Sequence, residues 1–144
     1  MSILKRLLGP PSARVTEFAD PALGVLVYDA EGEAWLKTVE ANGLRFRLSI
    51  GGDREPHEVL RQNAARLEAA LPEFLAQVPE LLQRGASSMP PLAGEISSLE
   101  VDEIAFWWDK EPDVAMVWLR GGSDGRMWHS TYKLGQLGDL AFDD

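Results

Sequence analysis

"NGLRFRLSIGGDREPHEVLRQNAARL", residues 42–67, changes its hydrophobic period halfway along, and that change decides the fold class. Leu44, Phe46, Leu48 and Ile50 alternate with Arg45, Arg47 and Ser49, the period-two pattern of a strand with one face in a core and one in water. From Leu60 the spacing becomes three and four, through Ala64, Leu67, Leu71, Phe74, Val78 and Leu81, which is the stripe of an amphipathic helix. Asn42-Gly43, just ahead of the strand, is the strongest hairpin signal in the chain, because both positions tolerate the positive φ of a type I′ turn.

The helical stretch carries its own punctuation. Asp53 or Glu55 is suited to cap its start, Pro56 to its first turn, and Gly85 to its end. Pro72 and Pro79 fall inside the stripe, where a proline costs an unbroken helix about 3 kcal/mol. The expectation is therefore a kinked helix or two helices, followed by a loop over residues 85–98, "GASSMPPLAGEISS".

Working outward, alternation returns on both sides. Upstream, Leu23, Val25 and Val27 alternate with Gly24, Leu26 and Tyr28, "DAEGEA" supplies a turn, and a strand begins near Trp35. Downstream, Ile104, Phe106 and Trp108 share one face, with Trp107 on the other, and a phase break near Asp102-Glu103 marks a bulge. Val114, Met116 and Trp118 alternate in the next strand, "GGSDG" turns the chain, and "RMWHSTYKL" returns it. The sum is an α+β fold: three strands, a helical segment and three strands, with an antiparallel sheet of about six strands and a kinked or split helix packed on one face. "GQLGDLAFDD" retains Leu137, Leu140 and Phe142 for a short final segment.

The 144 residues fit a single domain, with residues 1–11 a short amphipathic segment in front of it. In that segment Ile3, Leu4, Leu7 and Leu8 share a helical face, while Lys5, Arg6 and the Gly9-Pro10-Pro11 stop exclude a signal peptide or a stable membrane insertion. Twenty-three acidic residues against fourteen basic ones give a net charge of -9, which disfavours nucleic acid and serves solubility, or attraction to a basic protein partner where the acids cluster in space. The absence of cysteine excludes disulfides and thiolate chemistry and fits a cytoplasmic, reducing compartment.

Candidate site residues concentrate in "GGSDGRMWHSTY", residues 121–132. Its small residues are turn vocabulary. On the returning strand Trp128, Ser130 and Tyr132 share one face, with His129 on the other, so the spacing enforces no nucleophile, histidine and carboxylate set. Asp124, Arg126, Trp128, His129 and Tyr132 are kept as candidate binding residues, and none as catalytic. His57 has acids beside it but no second histidine at helical spacing, and "SIGGDREPHE" lacks the lysine of a phosphate loop, so no metal and no cofactor are expected. Trp107, if exposed on the far face of the sheet, is the best pointer to a binding surface.

The run Phe18, Asp20-Pro21, Leu23-Gly24, Leu26, Tyr28 and then Trp35 resembles the opening hairpin of several uncharacterised bacterial domain families. Some of their relatives look like immunity proteins or accessory genes of toxin systems. The resemblance covers about the first fifty residues, with a looser echo in the later strands, and carries no catalytic residue over. Sequence thus points to a non-catalytic protein-binding or immunity-type protein. The alternative is a small-molecule binder or small enzyme using Arg126, His129 and Tyr132.

Overall fold

The computed structural model describes residues 16–123 and 125–144. The Asn42-Gly43 turn is where the sequence places it: both residues have positive φ, 53° and 78°, and they join strands β3 (Ala34–Ala41) and β4 (Leu44–Gly51) in full register. Ahead of these lie β1 (Glu17–Asp20) and β2 (Gly24–Asp29). After β4 come helices α1 (Glu58–Ala69) and α2 (Leu71–Ser88), a 3-10 turn at Pro90–Leu92 and a one-turn helix α3 (Ala93–Ile96). Strands β5 (Glu100–Phe106), β6 (Val114–Arg120), β7 (Met127–Lys133), β8 (Gln136–Leu137) and β9 (Ala141–Asp143) complete the chain.

The strands form one sheet in chain order, with β8 and β9 both paired to β7. That makes nine strands among the described residues, not about six. The additions are β1, β8 and β9, of four, two and three residues, too short to show a period. Every pairing is antiparallel except β4 with β5. The helical segment carries the chain from the end of β4 back to its beginning, so β5 starts beside the start of β4 and must run parallel to it.

Two helices, rather than one, are what the prolines produce. The break falls at Ala70, and Pro72 sits in the first turn of α2, where its missing N–H has no intrahelical acceptor to lose. Pro79 stays inside α2. The cap expectations fail: α1 starts at Glu58 behind His57, with no side-chain cap, and Gly85 is buried inside α2 rather than ending it. A Cβ there would stand 2.6 Å from Leu140 Cδ2, so Gly85 serves close packing.

Both helices cover one face of the sheet. Leu60, Ala64, Leu67, Phe74 and Leu81 meet Leu26, Trp35, Phe46, Leu48, Ile50, Ile104, Val117 and Trp128 in a single buried cluster. The register shift between Val101 and Glu103 supplies the expected bulge. The structure settles which side of β6 is buried and removes Trp108 from the core face of β5. In β6 the core side is Ala115, Val117 and Leu119, while Val114, Met116 and Trp118 are half-buried opposite. Both sets are apolar, so period two gives the alternation but not its direction. Trp108 is 43% exposed, because β5 ends at Phe106 before the pattern reaches it.

Candidate interaction face around Trp107

The sheet face turned away from the helices is crossed by two rows fixed by register. One runs Val27, Leu36, Ser49, Ala105, Met116 and Thr131. The other runs Thr38, Arg47, Glu103, Trp118, His129 and Ala141. Arg47 reaches Glu103 at 3.1 Å, and farther along Arg120 reaches Asp102 at 3.1 Å, so this face presents paired charges around an apolar row. Val25, Val27 and Met127 on it are at least half exposed.

Trp107 lies at one end of this face and is 38% exposed. Its indole N–H donates to Ser49 Oγ at 3.0 Å, and Ser49 is almost fully buried beneath it. The Trp107 backbone also presses on Gly51, where a Cβ would lie 2.7 Å from the Trp107 carbonyl oxygen. Position and ring orientation are thus both fixed, which lowers the entropy that a contact on this ring would otherwise lose. Trp108 meets it edge to face, with centroids 6.2 Å apart. Beside the ring is a cavity of about 280 Å³ lined by Asp29, Glu31, Gly32, Ala34, Leu36, Arg47, Ser49 and Glu103. Three carboxylates face one guanidinium there. Asp29 is committed to its own turn, accepting the Glu31 and Gly32 N–H groups.

The other candidate residues divide between the two faces. Arg126 and Trp128 converge on Glu95 of α3: Arg126 Nη1 lies 2.8 Å from Oε1, while the Trp128 indole N–H donates to Oε2 at 2.7 Å and the Ser123 N–H at 3.0 Å. Glu95 therefore clamps the β6–β7 turn to the helical layer. His129 is on the open face against Trp118, 5.2 Å between centroids, with Nε2 3.2 Å from Asp143 Oδ2 but outside hydrogen-bond geometry. Tyr132 packs edge to face on Phe74 at 5.2 Å, and burial, with Glu73 nearby, pushes its hydroxyl above the ordinary range. Asp124 and residues 1–11 lie outside the described residues. His57 is exposed at the start of α1.

Sequence reasoning missed Glu95, since nothing local ties a glutamate in "PPLAGEISS" to a turn 28 residues later. Arg47 and Ser49 are legible as the wet side of β4, but their neighbours Glu103 and Trp107 follow only from the parallel pairing.

Glu95 gives a first expected outcome. The Ser123 N–H and the Trp128 indole N–H, then Arg126, hold its carboxyl below the ordinary 4.5. A carboxylate with a depressed folded pKa stabilises above its unfolded value, and that contribution disappears as pH falls through the folded one. Glu95→Gln is thus expected to unfold at lower urea than the parent at pH 7, with the difference closing toward pH 3. A constant offset across that range contradicts the clamp.

No protein-family model, curated protein or solved structure matches this chain. Among the described residues no helix is long and apolar enough to cross a membrane.

Proposed function

We propose that this chain is a non-catalytic protein-binding domain of the immunity type, which receives a basic partner on the uncovered sheet face around Trp107. The observation that carries the reading is the pinned, exposed Trp107 ring beside a cavity richer in carboxylates than in bases. A rigid aromatic anchor among polar groups is the usual composition of a binding hot spot, and guanidinium or ammonium groups bind both to indole faces and to carboxylates. The net charge of -9 adds long-range attraction for the same class of partner. Two of the alternative's three residues, Arg126 and Tyr132, are engaged by Glu95 and Phe74.

The test compares immobilised parent, Trp107→Ala and Trp108→Ala chains against lysate and the products of neighbouring genes. A specific partner is expected to lose at least about tenfold in affinity on Trp107→Ala, about 1.4 kcal/mol, and to be released by salt that screens its charges. A partner retained equally by Trp107→Ala, or indifferent to salt, overturns the reading. The optical companion is a difference spectrum between parent and Trp107→Phe. Chains reduced to one tryptophan would lack Trp35 and Trp128, which are fully buried.

A further inference from the structure

A second concave feature lies on the helical side, at the end of the sheet remote from Trp107. It is an apolar groove of about 460 Å³ between α2 and the first residues of β4 and β5. Leu75, Val78 and Leu82 form its helical wall, and Leu44, Leu99 and Val101 its floor. These helical residues are a second stripe, beside the Phe74, Leu81 and Gly85 stripe that enters the core, and they are only half-buried. Such a wall leaves apolar surface in water unless something covers it.

We infer that the groove is the docking site of the chain's own N-terminal segment, with Ile3, Leu4, Leu7 and Leu8 laid against Leu75, Val78 and Leu82. Three features of the chain select this occupant. The segment's four aliphatic residues share one helical face, matching an elongated apolar slot. Its charge is complementary: residues 1–15 contain Lys5, Arg6 and Arg14 and no acid, so all 23 acidic residues lie in the remainder, Glu100 at the groove among them.

Its length also reaches. The Thr16 carbonyl accepts the Tyr28 N–H, which places it level with Trp35 and Ile50 on β1's edge of the sheet. The groove floor at Leu44 is about six residues along and three strands across, or about 25 Å. Residues 9–15, drawn out, span at most about 25 Å. Residues 3–8, if helical, add about 9 Å more. The segment is therefore long enough to bring Leu7 and Leu8 to the near end of the groove and Ile3 and Leu4 into it.

The cysteine-free chain permits a clean test. The full-length protein is made with Lys5→Cys and Gln83→Cys, Gln83 being exposed at the groove, and separately with Lys5→Cys and Glu31→Cys. Glu31 lies near the Thr16 end, so a segment that does not dock meets it first. Docking raises the local concentration at Gln83, and the expected result is an intramolecular disulfide forming about tenfold faster at Gln83 than at Glu31. Leu4→Asp with Leu7→Asp, outside the described fold, should abolish that preference. A preference for Glu31, equal rates, or a bridge that appears only between two chains overturns the inference, the last in favour of a second copy's segment. So does flotation of the parent with phosphatidylglycerol vesicles while the Gln83 bridge fails to form.

Discussion

Trp35→Ala is expected to lower the unfolding free energy by about 3–5 kcal/mol, a large part of the margin of a domain this size. Trp35 is fully buried, and Phe18 and Tyr28 meet it edge to face with centroids 6.3 Å and 5.1 Å away. Its indole N–H donates to the Gly52 carbonyl at 3.1 Å. Gly52 has φ of +147°, and a Cβ there would collide with the Glu55 backbone, so the acceptor is held by a turn that only glycine enters. The truncation therefore opens a cavity between two rings and orphans a carbonyl at the point where β4 hands over to α1. Trp35→Phe keeps part of the ring packing but not the hydrogen bond, and should cost less than half as much. Chemical denaturation with both variants checks this. Equal losses would mean that the hydrogen bond, not the ring volume, dominates.

The same residues explain how much of the fold is legible in the sequence. The motif from Phe18 to Trp35 is visible there only as a pattern, and the structure gives each member a mechanical role. Asp20 holds a turn, Leu23 fills the core, Gly24 takes φ of +86°, and Tyr28 and Phe18 pack against Trp35. Elements with a full period are readable, namely β4, α1, α2 and β7. The four-residue β1 is not, because an Asp-Pro turn ends it before any alternation develops. Parity with Phe106 places Trp107 on the far face. Its anchor, Ser49, is 58 residues away across a parallel pair, and a single sequence carries no signal for such a register. Glu95 is invisible for the same reason. Local periodicity reports what a residue needs from its own element, whereas these contacts depend on how elements meet.

Asp20 supplies the other large effect. Its Oδ1 accepts the Ala22 and Leu23 N–H groups, both at 2.8 Å, and its Oδ2 takes the Arg61 guanidinium at 2.7 Å. Arg61 in turn lies 4.6 Å over the Phe18 ring, so one ion pair fastens the β1–β2 turn to α1. Both side chains are largely buried. Removing one partner leaves the other charge without compensation, and Asp20→Ala should cost about 3 kcal/mol. Asp20→Asn still accepts the turn's N–H groups and should cost about half of that, the rest being the pair with Arg61. A double-mutant cycle with Arg61→Met is expected to return about 1–3 kcal/mol of coupling. Burial raises the Asp20 carboxyl, but the Leu23 N–H, Arg61 and the Ala22 N–H outweigh it and hold the group below its ordinary 3.8. Because the folded pKa is the lower one, this stabilisation is complete above pH 3.8 and is lost as pH falls through the folded value. The parent and Asp20→Asn should therefore converge in acid while remaining apart at neutrality. Coupling near zero, or a gap that survives to pH 2, would show that the turn's N–H groups alone hold Asp20 and that Arg61 is present for its stacking on Phe18.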